Sequence, residues 1–344
     1  MLCKTIKMNA SRNNWKLLAA GLFLAFGRYP VSWLLSSNQK RSRPKQLPSL
    51  KQVYITCKSG NTWYVETDGV EGAQPIVFLH GLNASGLQWY HQRNYFKKSN
   101  FLIFLDLPGH GKSKRPATLD IEVMAVDLGE ILQSLNVENP IIYGHSLGGM
   151  ITLKYAALVN QPNAKGIIVQ HSSFTNPFKT SRFSKTMLAL QAPVIRPYLE
   201  FAKRHRLAFT ILSMVNYLNG LNTVFYRYLL FTGAQSAAEL RLLSKIAAIN
   251  PAEVTAEGVL RTLDYNVAAV LGNIEVPALI LSAEFDHITR PVAGRVISSK
   301  IKNAKHIEVA SGHLSLVEHA VELNVLVKDF LESSLFEQTT DHQG

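Results

Sequence analysis

A serine set between glycines carries the clearest chemical signal in this chain. Gly144-His145-Ser146-Leu147-Gly148 follows Pro140-Ile141-Ile142-Tyr143, a short run with β-branched residues, and precedes residues 149–157, which read as a buried helix. Strand, sharp turn and helix together form the setting that projects a serine hydroxyl toward a base. Glycine on either side removes the Cβ atoms that would crowd such a turn. The chemistry this implies is nucleophilic: the serine oxygen attacks an electrophilic carbon and forms a covalent intermediate. The plainer alternative is a glycine-rich strand–helix connection, and the flanks favour the nucleophile.

The elements that must position this serine can be read on both sides of it. Short apolar runs at 53–56, 62–65, 76–79, 101–105, 141–143, 166–170, 278–281 and 304–309 read as strands. Ser59-Gly60-Asn61 separates the first two as a hairpin turn, and 121–135 has helical periodicity. Strands alternating with helices predict βαβ units and a mostly parallel sheet.

The order of four signals resembles the α/β-hydrolase fold superfamily, of the serine esterase or lipase type, over residues 50–335. They are His80-Gly81, the run from Asp106 through Pro108, Gly109 and Gly111 to Ser113, the Ser146 turn, and Asp286 followed by Gly312-His313. The resemblance implies a mostly parallel central sheet flanked by helices. It also implies a helical cap inserted before the strand preceding the catalytic acid. In this fold the chain order is nucleophile, acid, histidine. Asp286, just past the strand at 278–281, is then the acid that orients the base. His313, in the loop after the last strand, is the general base and acid. Glu284 is a rival acid closer to its strand, and Asp264 reads as structural. His306 lies in a strand and His319 in a helix expected over 317–330. His80, His110, His145 and His171 read as loop or packing residues. The two oxyanion donors expected are the backbone N–H groups of Leu147 and Leu82. Asn83-Ala84-Ser85 matches a glycosylation sequon but falls in the expected oxyanion loop, where a glycan is not expected. Gly111-Lys112-Ser113 looks like the end of a phosphate-binding loop, but that pattern needs glycine where Asp106 stands. No metal or organic cofactor is required.

Charge is distributed unevenly. The net charge is +12, and residues 1–65 supply eleven Lys or Arg with no Asp or Glu. Residues 174–246 hold ten basic and two acidic side chains. Both blocks are also rich in apolar residues, which fits an anionic membrane surface better than nucleic acid. Cys3 and Cys57 make no disulfide framework. Residues 17–35 are mostly apolar, interrupted by Arg28 and Pro30. As one helix they would span about 28 Å, close to the hydrocarbon thickness. A membrane anchor is the leading reading, with a cleaved signal peptide and an organellar presequence as alternatives. Basic residues flank the stretch on both sides, without the asymmetry that sets an orientation.

The predicted organisation is a basic tail at 1–16, a hydrophobic anchor or signal-like segment at 17–35 and a basic linker at 36–50. The hydrolase core takes 51–173 and 251–335, the helical cap 174–250 and a C-terminal tail 336–344. Within the cap, Arg206–Leu218, 221–231 and Ala237–Ile249 read as helices, whose apolar residues could pack the core, line an acyl channel or dock on a membrane. The activity expected is hydrolysis of lipophilic carboxylic esters through an acyl-enzyme on Ser146, similar to the membrane-anchored, monoacylglycerol-lipase-like branch. A C–C bond hydrolase, an acyltransferase or thioesterase using the same residues, and a non-catalytic binding protein are the alternatives. The partners expected are a lipophilic ester and a membrane surface, with no nucleic acid; the sequence does not indicate an oligomeric state.

Overall fold

A computed structural model describes residues 11–37, 49–158, 164–181 and 183–340. Most of the expected basic tail and linker, and residues 341–344, lie outside the described residues.

Eight strands form one sheet: β1 (Lys51–Thr56), β2 (Thr62–Gly69), β3 (Pro75–Leu79), β4 (Phe101–Asp106), β5 (Ile141–His145), β6 (Gly166–Gln170), β7 (Ala278–Ala283) and β8 (Ala304–Val309). The spatial order is β1-β2-β4-β3-β5-β6-β7-β8. The β1–β2 and β2–β4 pairs are antiparallel, and the remaining pairs are parallel. This is the expected α/β-hydrolase architecture. The chain reverses its winding at β3, which lies between β4 and β5. In open α/β sheets, ligands bind at such a switch point, outside the carboxyl ends of the strands.

The central strands are apolar because helices cover both faces. On one face Val77, Leu79 and Ile103 pack with Met124, Leu128 and Ile151, under α4 (Ile121–Ser134) and α5 (Leu147–Ala157). On the other, Ile76, Phe78 and Leu102 meet Leu323, Val327 and Phe330. That face is covered by α3 (Tyr90–Phe96), α14 (Ser315–Glu318) and α15 (Ala320–Thr340), while α13 (Pro291–Lys300) joins β7 to β8. Phe78 stacks on Phe104 at 4.8 Å and meets the Trp89 and Tyr143 rings at 5.2 and 5.5 Å. Such pairs each add about 0.5–1.5 kcal/mol beyond burial. The N-terminus of α4 is fixed by Asp120, whose side chain accepts from the Glu122 and Val123 amides.

Among the described residues, seven α-helices fill the stretch between β6 and β7: α6 (Pro177–Thr180), α7 (Ser184–Leu190), α8 (Arg196–Arg204), α9 (Arg206–Leu218), α10 (Leu221–Leu230), α11 (Ala237–Ile249) and α12 (Ala252–Asp264), with a π-helical turn at Gln191–Ile195 joining α7 to α8. Ser236 and Glu239 close a capping box at the start of α11. Helix α12 packs against α8 and α9, so the helical layer continues to Asp264.

Two expected helices differ in form. The stretch 17–35 is not one rod: α1 (Ser11–Phe26) and α2 (Arg28–Leu34) meet at a 69° bend, and no single described helix is long and apolar enough to cross a membrane. At the bend a Cβ on Gly27 would meet the Asn219 carbonyl at about 2.5 Å, so glycine permits the docking of this pair on the cap. The helix expected over 317–330 is also split, and His319 is a turn residue between α14 and α15 (φ −122°, ψ 36°) rather than a helical one.

Candidate active site

The turn after β5 forces Ser146 to φ 54°, ψ −116°, a region that L side chains enter only when the surroundings over-determine it. Here they do. The Ser146 amide donates to the Gln170 carbonyl at 2.9 Å, and Ser172 Oγ donates to the Ser146 carbonyl at 2.7 Å. A Cβ on Gly144 would collide with the Gly148 carbonyl and Thr152 Oγ1, and one on Gly148 with the Leu79 carbonyl. The glycines are therefore required by space.

Asp286 follows β7 and lies buried behind His313. His313 Nδ1 is 2.7 Å from Asp286 Oδ2. Oδ1 accepts from the Ile288 and Thr289 amides at 2.7 and 2.9 Å, and Oδ2 from Thr289 Oγ1 at 2.8 Å. Burial alone would raise the carboxyl pKa. The His313 imidazole, His171 and the Thr289 amide outweigh it and hold Asp286 down at about 2. Glu284 is exposed, and Asp264 pairs with Arg196 on the surface.

Burial disfavours the charged form of the other histidines around the site. Burial pushes His145 well below the ordinary value and lowers His171 to about 3, with His313 as a like-charge neighbour of both. Their rings lie 4.9 and 6.2 Å from that of His313, so a proton arriving on His313 meets no second cation. His145 Nε2 donates to the His313 carbonyl at 2.9 Å. The histidine of the elbow, expected to be a loop or packing residue, thus tethers the loop that carries the base. Ser146 and His313 make no hydrogen bond to one another among the described residues, although both face the same cavity. Catalytic hydrogen bonds are commonly looser before substrate arrives.

His80 is fully buried and lowered to about 4 by burial. Its Nε2 accepts from the Leu107 amide at 2.9 Å, so Nδ1 carries the proton and donates to the Gly81 carbonyl at 2.7 Å. Because the peptide is trans, turning the Gly81 carbonyl toward His80 turns the Leu82 N–H the opposite way. Neither the Leu82 nor the Leu147 N–H donates to a partner among the described residues, and both residues line the cavity. Asn83 Oδ1 accepts from Thr255 Oγ1 in the same wall.

The cavity holds about 330 Å³. Gly81, Leu82, Ser146, Leu147 and His313 form its floor, and Phe225, Leu229, Leu243, Ile246, Val259 and Leu263 come from the helices above. That size and apolar lining suit a small lipophilic molecule. The links between floor and cover are invisible in the sequence. Glu318 accepts from the amides of Thr232, Gly233 and Ala234, in the loop joining α10 to α11, at 2.6–2.9 Å. Leu314, next to His313, donates its amide to the Leu230 carbonyl at 3.1 Å.

Cys57, Asp127 and Glu130 stand close enough to be tested as metal ligands. Asp127 Oδ2 is occupied by Asn61 Nδ2 and Trp63 Nε1 at 2.9 and 3.1 Å. Burial pushes the Cys57 thiol up to about 12, so the donor set does not suit a cation.

Comparisons with known proteins place these features in a family. The family model described as alpha/beta hydrolase fold matches residues 74–320. The chain is 28% identical over 286 residues to the AB hydrolase superfamily protein YisY of Bacillus subtilis (strain 168), covering 81% of this chain and 99% of that one. An esterase from Exiguobacterium antarcticum superposes with a TM-score of 0.67 at 22% identity, over 82% of this chain and 100% of that chain. A membrane phospholipase A, described as a novel bacterial virulence factor, superposes with a TM-score of 0.65 at 18% identity. That match covers 93% of this chain and 92% of the other. At these identities the superpositions speak for the fold.

Proposed function

We propose that this chain, which belongs to the alpha/beta hydrolase fold family, hydrolyses lipophilic carboxylic esters at a membrane surface. The carrying observation is the pairing of the strained Ser146 elbow and the His313–Asp286 pair with an apolar cavity of about 330 Å³. Ser146 Oγ attacks the ester carbonyl while His313 Nε2 takes its proton. Asp286 holds the opposite nitrogen of the ring, fixing its tautomer and stabilising the imidazolium that forms. The Leu82 and Leu147 N–H groups receive the oxyanion, each contributing on the order of 10²–10³ in rate. His313 returns the proton to the departing alcohol, leaving an acyl-Ser146. Water, deprotonated by His313, then releases the carboxylic acid and restores the serine.

The lipophilic part of the reading draws on the cavity walls and the outer surface. Trp15, Leu17, Leu18, Phe23 and Phe26 of α1 are each more than half exposed, as are Leu207 and Ile211 of α9 and Phe225 and Tyr228 of α10. Phe225 both lines the cavity and faces outward. On this reading α1 and α2 associate the chain with a bilayer, and the ester reaches Ser146 from that side. The similarity to a membrane phospholipase A along most of the chain supports the same proposal.

Fluorophosphonate labelling tests the chemistry: wild-type protein is expected to label, and Ser146→Ala to remain unlabelled. Ester turnover across increasing acyl length, with and without anionic vesicles, tests the substrate class. Preference for short soluble esters, indifferent to vesicles, would sink the lipid reading; failure of wild type to label would sink the enzyme.

A further inference from the structure

Three long stretches of this chain contain no carboxylate, residues 1–65, 139–199 and 201–238. The first and the last are remote in sequence, yet the fold lays them against each other, with α1 on α9 and α2 on α10; α2 also packs on α11, which begins at Ala237 and carries Glu239. Where they meet, two guanidinium groups flank one aromatic ring. Arg28, at the bend, lies 4.6 Å from the Tyr29 ring centroid, and Arg241 of α11 lies 5.5 Å from it. Arg28 is also 5.3 Å from the Tyr217 ring. The bonds that hold the two in place are few. Arg28 Nη1 donates to the Ala25 carbonyl and Arg241 Nη1 to Ser32 Oγ, both at 2.6 Å, and Arg28 Nη2 reaches Tyr29 Oη at 3.4 Å. Neither arginine pairs with a carboxylate among the described residues. The nearest acid in sequence, Glu239, is buried and taken by Tyr90, His91 and the Ser236 amide.

A guanidinium offers five donors, so most of the hydrogen-bonding capacity of this pair is unspent. Two cations held beside one ring with no internal anion call for a counter-charge from outside. The surroundings indicate which kind. Phe26, Tyr29, Trp33 and Leu34 around the pair are each at least half exposed. Aromatic residues beside cations, at the end of an exposed apolar helix, match the interfacial layer of a bilayer. An anion there is attached to hydrocarbon.

We infer that Arg28 and Arg241 form a binding site for the phosphate head group of an anionic phospholipid. The lipid seats the bent N-terminal pair and the cap together on the bilayer. The site has a direct line to the cavity, because α11 carries both Arg241 and the lining residues Leu243 and Ile246. The inference rests on the membrane part of the proposed function but not on the chemistry at Ser146.

The test uses the full chain, released from non-ionic detergent onto vesicles of phosphatidylcholine alone or phosphatidylcholine with phosphatidylglycerol. The partition ratio between the two is the readout. Each basic side chain near an anionic surface contributes roughly a fivefold preference. R28Q and R241Q are each expected to lower the ratio about fivefold, and the double variant about 25-fold. R28K/R241K should retain most of the preference, which separates charge from packing. The tail lysines stay in every variant, so their attraction cancels. Turnover of a short soluble ester in the same samples reports folding. If the double Gln variant loses that turnover, the single variants decide. An unchanged ratio in folded Gln variants overturns the site and leaves the hydrolase reading standing. Absence of short-ester turnover in wild type, with the ratio behaving as expected, does the reverse.

Discussion

Below the cavity, Ser146, His313 and Asp286 are held by groups from three separate stretches: His145, the Gln170 carbonyl with the Ser172 hydroxyl, and the Ile288–Thr289 amides with the Thr289 hydroxyl. Above it, α9 has no buried residue and α10 has only Thr223. The floor is fixed by directional bonds and steric exclusion, so small displacements there cost geometry. The roof meets the floor through a few directional bonds, at Glu318 and Leu314, and otherwise through apolar area, which is non-directional and tolerant of change. A reaction needs the first kind of support for its chemistry and the second for admitting substrates of varied shape.

Four changes would break or sharpen this contrast. Ser146→Ala should lower ester turnover on the order of 10⁴–10⁶-fold, with thermal stability near that of wild type, as read by calorimetry beside an activity assay. Asp286→Asn should cost about 10⁴-fold in kcat by leaving His313 in the wrong tautomer. It should also change the response to acid. The Asp286 carboxyl lies at about 2 in the folded chain against an ordinary value of 3.8. A depressed acid stabilises the fold above its unfolded pKa and loses that contribution as pH falls through the folded value. Wild type should therefore lose on the order of 2 kcal/mol between pH 4 and 2 from this group, measurable by urea unfolding, and the Asn variant should lack that component.

Glu318→Gln tests the join between floor and roof. It replaces a charged acceptor of three amides by a neutral one, and bonds to charged groups are worth about 1.5–3 kcal/mol. Stability should fall by about 2 kcal/mol, and KM for long esters should rise more than KM for short ones. Equal effects on both would show that floor and roof respond as one unit. Leu243→Ala should have the smallest effect. Removing wall carbon costs about 0.8 kcal/mol per methylene no longer buried by the acyl chain. A several-fold loss in kcat/KM for long esters is expected, with acetyl esters unaffected; an equal loss on acetyl esters would mean the roof positions the chemistry.

Much of the floor was legible in the sequence because its signals are local. Strands β3, β5, β6 and β7 are short apolar runs, β5 and β7 preceded by Pro and β3 and β6 followed by His, and Ser146, Asp286 and His313 stand just past β5, β7 and β8. The roof helices α9 and α11 were legible from their periodicity with the same bounds. What escaped depends on apposition across the chain. The bend at Gly27 answers to the Asn219 carbonyl, nearly two hundred residues away. Glu318 has no local mark that it accepts amides 232–234. Thr289 resembles any loop threonine until Asp286 is seen to accept from it. His145 was read as packing because its partner is a backbone carbonyl, which side-chain patterns do not encode.

The φ of 54° at Ser146 has a consequence for how this chain folds. The elbow is held by Gln170 and Ser172, and it lies against the Leu79 carbonyl through Gly148. Its base arrives only with residue 313. A chain that holds the elbow but has not brought residue 313 into place carries a serine without its base, so acylation of Ser146 also reports that the last strand and the loop after it are docked.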